Sequence, residues 1–156
     1  MNWIGLSLTF VSFMGMEGVA WLAHRYLMHG LLWKLHQDHH QKDPRSHLEK
    51  NDYFFVIFAV PGIACFALGT YCAPLHILFF IGLGITIYGA AYFLVHDVFI
   101  HQRLKLLRNI DNGYFRAIRR AHKMHHKHLG KEDGECFGML MVPFKYFTKE
   151  LGQNKR

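Results

Sequence analysis

Three apolar segments, separated by polar ones, divide the chain. The first, residues 3–23, holds one charged side chain, Glu17, and the second and third, residues 53–71 and 75–95, hold none. At 1.5 Å per residue, each segment would form a helix about 28 to 32 Å long, close to the thickness of a bilayer's hydrocarbon core. A soluble protein of this size could cover one such helix but not three. The pattern therefore predicts an all-α integral membrane protein with three transmembrane helices.

The polar segments carry every cationic side chain. Residues 24–52 contain five Lys or Arg and residues 96–156 contain thirteen, which accounts for all 18 in the chain. Three crossings put both segments on the same side, and the positive-inside rule predicts that this side is cytoplasmic. The net charge of +7 would suggest nucleic acid binding in a soluble protein. Here basic loops that meet anionic lipid headgroups explain the charge, so we expect no nucleic acid partner. From the length of the chain and the three spans we expect a single domain, residues 1–156, in the inner membrane.

Ten of the thirteen histidines follow one pattern that occurs twice, in the predicted cytoplasmic segments 24–52 and 96–147. Each copy has two histidines separated by four residues, followed by an H-x-x-H-H box. Neutral imidazole is the commonest metal ligand, and ten exceed the four ligands of a structural zinc site. We therefore predict a centre with two metal ions. The ten candidate ligands are His24, His29, His36, His39, His40, His96, His101, His122, His125 and His126.

The spacing within the pattern suggests how the ligands divide. The three histidines of an H-x-x-H-H box share one helical face, so each box is expected to bind one metal. The other pairs differ, because five positions at 3.6 residues per turn leave two side chains about 140° apart. We expect that the helix ends between His24 and His29, or that they bind different metals, and the same for His96 and His101.

Other polar residues are candidates for supporting roles. Ligating histidines usually donate their second ring N–H to an oxygen, and four carboxylates are near enough in sequence to accept it. Glu17 lies two helical turns from His24, so we expect it to contact a facing helix or line the path to the site, not to ligate. The roles of His47, His76 and His128 stay open. The four candidate carboxylates are Asp38, Asp52, Asp97 and Asp111.

The apolar run 139–144 is too short to span a bilayer. We expect it to lie at the interface or to re-enter the membrane, where it either covers the metal site or packs without a role in it.

The four histidine boxes also carry a family resemblance. HRYLMH, HQDHH, HDVFIH and HKMHH in this order, with Asn51-Asp52 after the second box and Gly134-Glu135 and Phe137-Gly138 after the fourth, resemble the bacterial β-carotene hydroxylases of the fatty acid hydroxylase superfamily. The resemblance extends over residues 21–144. It implies a non-haem di-iron monooxygenase that hydroxylates C3 and C3′ of the β-ionone rings, converting β-carotene through β-cryptoxanthin to zeaxanthin.

The resemblance also implies the cofactors and partners. The ten histidines would hold two iron ions, O2 would be the co-substrate, and electrons would come from ferredoxin or a similar acidic reductant. The carotenoid would arrive from the lipid bilayer. Zinc shares the ligand preferences of iron and could replace it in preparations.

Two other functions are compatible with these ligands. A related di-iron hydroxylase or desaturase acting on a fatty acyl, sterol or keto-carotenoid substrate would need the same histidines. A transition-metal transporter or sensor would distribute ionisable residues along its spans, and these spans nearly lack them.

Overall fold

The computed structural model describes residues 3–41 and 48–147, and within them it contains helices and no strands. Five α-helices form in chain order. They are α1 (Trp3–Leu22), α2 (Trp33–His40), α3 (Tyr53–Tyr71), α4 (Ile77–Phe93) and α5 (Gly113–His125). Two of the membrane helices continue as π-helices, α1 into Ala23–Leu31 and α4 into Leu94–Ile100. Short 3₁₀ turns at Lys50–Asp52 and Ala73–Leu75 lead into α3 and α4.

Three helices are long and apolar enough to cross a membrane: Trp3–Leu31, Lys50–Tyr71 and Ile77–Ile100. They overlap the predicted spans 3–23, 53–71 and 75–95. The predicted fold class, an all-α protein with three such helices, is confirmed.

Helix α4 lies between α1 and α3, and glycines permit both contacts. A Cβ at Gly84 would stand 2.5 Å from the carbonyl oxygen of Thr9 on α1, and one at Gly82 would stand 3.0 Å from the carbonyl oxygen of Gly62 on α3. Small residues allow membrane helices to approach closely, since packing replaces the hydrophobic driving force in lipid. The opposite faces expose large apolar side chains, such as Phe10 at 64% and Phe55 at 66%, as expected for contact with acyl chains.

Helices α2 and α5 lie outside the apolar spans and form a polar cap with the loops around them. Helix α5 begins where the side chain of Asn112 accepts a hydrogen bond from the backbone N–H of Phe115. Its buried face consists of Ala117, Ile118 and Ala121 together with the histidines of its last turn. This amphipathic face packs the C-terminal histidine box against the ends of the membrane helices.

Candidate metal centre

Nine of the ten predicted ligands converge into two groups. Within each group one ring nitrogen of every histidine lies within 4.8 Å of those of the others. The five-histidine group consists of His24, His29, His36, His40 and His125. The four-histidine group consists of His39, His96, His101 and His122.

The distances between ring nitrogens fit metal binding. In the five-histidine group the Nε2 atoms of His24 and His36 are 3.1 Å apart, and those of His29 and His125 are 3.2 Å apart. In the four-histidine group His39 and His96 show the same separation of 3.1 Å. Two nitrogens bound to one ion at about 2.1 Å stand roughly 3.0 to 3.4 Å apart at angles of about 90 to 109°. Both groups can therefore hold a transition-metal ion.

The tenth predicted ligand, His126, lies between the groups. Its ring stacks on that of His40, with centroids 4.5 Å apart and planes 16° apart, and its centroid is also 4.5 Å from that of His122. Its Nε2 is buried and has no hydrogen-bond partner in the described part of the chain. A buried acceptor without a partner is costly unless a metal or proton donor satisfies it. Ligation by all ten histidines stays a prediction.

Each H-x-x-H-H box contributes to both groups, so the expectation that each box binds one metal was wrong. His36 and His40 belong to the five-histidine group while His39 belongs to the other, and His125 and His122 divide in the same way. Positions i and i+4 are only about 40° apart around a helix, whereas i+3 lies about 60° to the opposite side of i. The helix that carries each box therefore lies between the two metal positions, with histidines on one side of its buried face directed at each position.

The pairs separated by four residues also behave differently from expectation. His24 and His29 both belong to the five-histidine group, and His96 and His101 both belong to the four-histidine group. The helix neither ends between them nor sends them to different metals, because it is a π-helix at both places. In a π-helix each N–H bonds the carbonyl five residues earlier, as His101 N does with His96 O at 2.9 Å. Residues five apart are then one turn apart and point the same way.

Every ring in the five-histidine group donates its Nδ1–H to a neutral oxygen. The acceptors are Phe137 O for His24 (3.0 Å), Lys131 O for His29 (3.1 Å), Asn51 Oδ1 for His36 (2.7 Å), His128 O for His40 (3.0 Å) and Glu135 O for His125 (2.9 Å). A donating Nδ1 leaves the lone pair on Nε2 free. All five Nε2 atoms are thus prepared to bind one ion.

In the four-histidine group, carboxylates take the place of carbonyls beside two of the rings. His39 Nδ1 lies 2.8 Å from Glu49 Oε2, and His96 Nδ1 lies 3.2 Å from Asp97 Oδ2. The guanidinium of Arg103 joins these acids, at 3.0 Å from Glu49, 3.4 Å from Asp97 and 2.7 Å from Asp52. Charged acceptors make imidazole a stronger donor to a metal than neutral ones do. The two groups therefore offer different electrostatic environments.

Of the four predicted supporting carboxylates, Asp97 bonds a histidine directly, whereas Asp52 pairs with Arg103 and accepts a hydrogen bond from the backbone N–H of Glu49 at 3.1 Å. Asp38 accepts a hydrogen bond from the backbone N–H of Lys50 at 2.5 Å, and Asp111 pairs with Arg116 at the surface, 3.0 Å away. Neither reaches a histidine in the described part of the chain.

Sequence reasoning missed Glu49 and the backbone carbonyls, and it noted Asn51 only as part of the family resemblance, without a role. Only Glu49 left a local signal, because it and Asp52 form a capping box over the turn that precedes α3. The remaining histidines have other positions. His76 is exposed at the start of α4, His128 contributes its carbonyl, and His47 lies outside the described residues.

Glu17 contacts a facing helix, one of the two roles expected for it: its carboxylate accepts a hydrogen bond from Tyr88 Oη on α4 at 2.7 Å. The carboxylate also accepts hydrogen bonds from the backbone N–H groups of residues 139–141. The apolar run 139–144, which was expected at the interface or re-entering the membrane, is thus attached to α1 through its first three residues.

Burial keeps the histidines of the cap neutral. Burial is the largest cause and the neighbouring histidines add to it, so that the pKa is lowered to about 2 for His36 and His125, about 3 for His126 and about 4 for His40. Each of these rings is therefore unprotonated near neutral pH. Metal binding there does not have to displace a proton from the ligand nitrogens.

The same shifts predict how the metal-free protein responds to acid. Each folded-state pKa lies below the ordinary value of 6.5, so the unfolded chain binds more protons below that pH. The free energy of unfolding is therefore highest above about pH 6.5. Below that pH it decreases by about 1.4 kcal/mol per histidine for each pH unit, until the folded-state pKa is reached. The temperature at the midpoint of thermal unfolding, measured in detergent with metal removed by chelator, should therefore be lower at about pH 5.5 than at about pH 7.5. An unchanged midpoint would contradict this.

Comparisons with known proteins agree with these features. The sequence profile of the family described as Fatty acid hydroxylase matches residues 9–147. The chain is 43% identical over 146 residues to the Beta-carotene hydroxylase of Pantoea ananas, covering 92% of this chain and 81% of that protein. It is 40% identical over 129 residues to the Beta-carotene hydroxylase of Paracoccus sp. (strain PC1), covering 82% and 78%. No solved structure matches significantly.

Proposed function

Because the chain belongs to the fatty acid hydroxylase family, we propose that it is a β-carotene 3-hydroxylase. It would convert β-carotene through β-cryptoxanthin to zeaxanthin by hydroxylating C3 and C3′ of the two β-ionone rings. The observation that carries this proposal is the similarity, over most of the chain, to bacterial proteins named Beta-carotene hydroxylase. The two histidine groups support it independently, since they are suited to metal-dependent oxidation.

We assign the two groups to two iron ions, with His126 between them as a further ligand. When bound, iron supplies the activation of O2 that insertion into an unactivated C–H bond requires. Over the whole reaction, one oxygen atom enters the ring and the other leaves as water. Two electrons and two protons come from a reductant, for which we propose ferredoxin or a similar acidic protein. The exposed side chains of Lys123 and Lys127 beside the histidine box would attract it.

The chain's own residues orient the ligands and exclude water. The hydrogen bonds at Nδ1 fix each ring before metal binds, which lowers the cost of assembling the centre. The ring of Phe137 contacts those of His24, His29 and His125, with centroids 5.2 to 5.4 Å apart, and covers that side of the five-histidine group. Because the groups lie at the ends of the membrane helices, an apolar substrate could reach them from the bilayer.

Expression in cells that accumulate β-carotene tests the function. We expect zeaxanthin with β-cryptoxanthin as the intermediate, detected by chromatography of extracted pigments. Unchanged β-carotene, with expression and iron content verified, would overturn the substrate. A hydroxylated or desaturated fatty acyl, sterol or keto-carotenoid would then favour the related oxygenases, and tightly held iron without lipid turnover would favour a transporter or sensor.

The predicted orientation can be tested with single cysteines. After replacement of Cys65, Cys72 and Cys136 by serine, Tyr71→Cys should react with a membrane-impermeant maleimide in intact bacterial spheroplasts. Tyr71 is 86% exposed at the end of α3 opposite the histidines. Lys105→Cys, on the histidine side, should react only after permeabilisation. The reverse labelling would place the centre outside the cytoplasm.

A further inference from the structure

Glu17 is buried in the first membrane helix and its carboxylate is fully engaged. Glu17 is only 5% exposed. Its Oε1 accepts hydrogen bonds from three successive backbone N–H groups, those of Met139 at 2.9 Å, Leu140 at 3.0 Å and Met141 at 2.9 Å. Its Oε2 accepts hydrogen bonds from Leu140 N at 3.1 Å and from Tyr88 Oη at 2.7 Å. A charge in a membrane span is costly and is retained where it has a specific partner.

The partner is a segment without helix or strand, residues 131–141, which we name the clasp. Three of its carbonyls orient the five-histidine group, those of Lys131, Glu135 and Phe137. Two of its residues, Asp133 at φ 61° and Cys136 at φ 63°, adopt left-handed backbone conformations that non-glycine residues seldom adopt. Such a segment has no regular hydrogen-bond ladder, so contacts outside it must fix its position.

Glu17 is joined to the metal centre over a short distance along the clasp. The carbonyl that accepts from His24 belongs to Phe137, two residues before Met139. Gly138 lies between them, and a Cβ there would stand 2.9 Å from Glu17 Oε1. Glycine therefore permits the carboxylate to approach the backbone beside the residue that orients His24.

We propose that Glu17 is a positioning residue that holds the clasp so that its carbonyls orient His24, His29 and His125 for metal binding. This rests on the proposed metal centre. The four-histidine group takes none of the hydrogen bonds found for its rings from the clasp, since Glu49 and Asp97 serve His39 and His96. Loss of Glu17 should therefore affect one metal and spare the other.

The test is metal binding by the full chain in detergent, with Glu17→Gln and Glu17→Ala. Iron per chain is measured after loading and gel filtration, and Co²⁺ is titrated to record its d–d absorption bands. We expect two metals for the natural sequence. For Glu17→Ala we expect about 10- to 100-fold weaker binding at one position, comparable with the loss of an outer hydrogen-bond partner, and an intermediate effect for Glu17→Gln.

Reference variants identify the position that is lost. The Co²⁺ spectrum of Glu17→Ala should resemble that of His125→Ala, which removes a ligand from the five-histidine group, and differ from that of His39→Ala. Gly138→Ala, which pushes on the carboxylate from the clasp side, should produce the same selective loss. Glu132→Gln makes the same chemical change as Glu17→Gln at an exposed clasp residue and should bind metal normally.

Two results would overturn the proposal. One is unchanged metal affinity and an unchanged Co²⁺ spectrum in Glu17→Ala and Gly138→Ala. The other is a parallel loss of both metals, because Glu17 would then stabilise the fold in general. If the natural sequence itself binds no metal, the proposed function fails instead.

Discussion

Replacing His125 by alanine should abolish zeaxanthin formation. His125 has an exposed fraction of 0%, its Nε2 lies 3.2 Å from that of His29, and its Nδ1 is held by the carbonyl of Glu135. The substitution removes a ligand from the five-histidine group and leaves that carbonyl without its donor. We expect more than about a 100-fold loss of product, beyond what loss of an outer hydrogen-bond partner typically causes. Pigment analysis and iron content, measured on the same preparation, check this.

His76→Ala is the matched control for this substitution. His76 is exposed at the start of α4, where its ring bonds the nearby carbonyl of Ala73 at 3.2 Å. It should yield zeaxanthin at the level of the natural sequence. If His125→Ala kept two iron ions and a substantial part of the activity, the assignment of the five-histidine group would be wrong.

Features that depend on local composition and spacing could be predicted from the sequence. The three spans follow from uninterrupted apolar runs, and the ten candidate ligands follow from a spacing that occurs twice. These signals are local, since a bilayer sets the length of a helix and a metal requires a minimum number of donors. One error in the site was also local. The turn around His24 and His29 was assumed to be α-helical, and a π-helical turn has no recognisable residue preference in this stretch.

The division of ligands and the outer hydrogen bonds could not be predicted in the same way. They depend on how α2 and α5 cross the ends of the membrane helices, which is a matter of tertiary packing. Phe137 follows His24 by more than a hundred residues, and its contribution is a carbonyl, which every residue type has. Glu49 lies ten residues after His39 and next to α3, so its place in the sequence does not show that it contacts a histidine. Its other partner, Arg103, follows α4. Such partners become visible only when the chain is folded.

The charged surroundings of the four-histidine group lead to the second large prediction. Glu49 is buried, accepts from His39 Nδ1 at 2.8 Å and pairs with Arg103 at 3.0 Å. Glu49→Ala would leave His39 without an acceptor and Arg103 with one acid fewer. We expect metal affinity at the four-histidine group to fall about 10- to 100-fold, with zeaxanthin yield falling in parallel.

Asp111→Ala is the matched control for Glu49→Ala, because it removes a carboxylate from the same side of the protein but one that pairs with Arg116 at the surface. It should bind metal normally. The Co²⁺ titration separates the two groups: because neutral carbonyls serve the five-histidine group, its ion should remain bound in Glu49→Ala with an unchanged absorption band. Equal weakening of both ions would mean that Glu49 stabilises the whole cap. Unchanged binding at both would mean that the carboxylate does not influence His39 as a ligand. Selective weakening would establish that the two metal positions, though built from the same residue type, are made chemically different by what their rings bind on the outside.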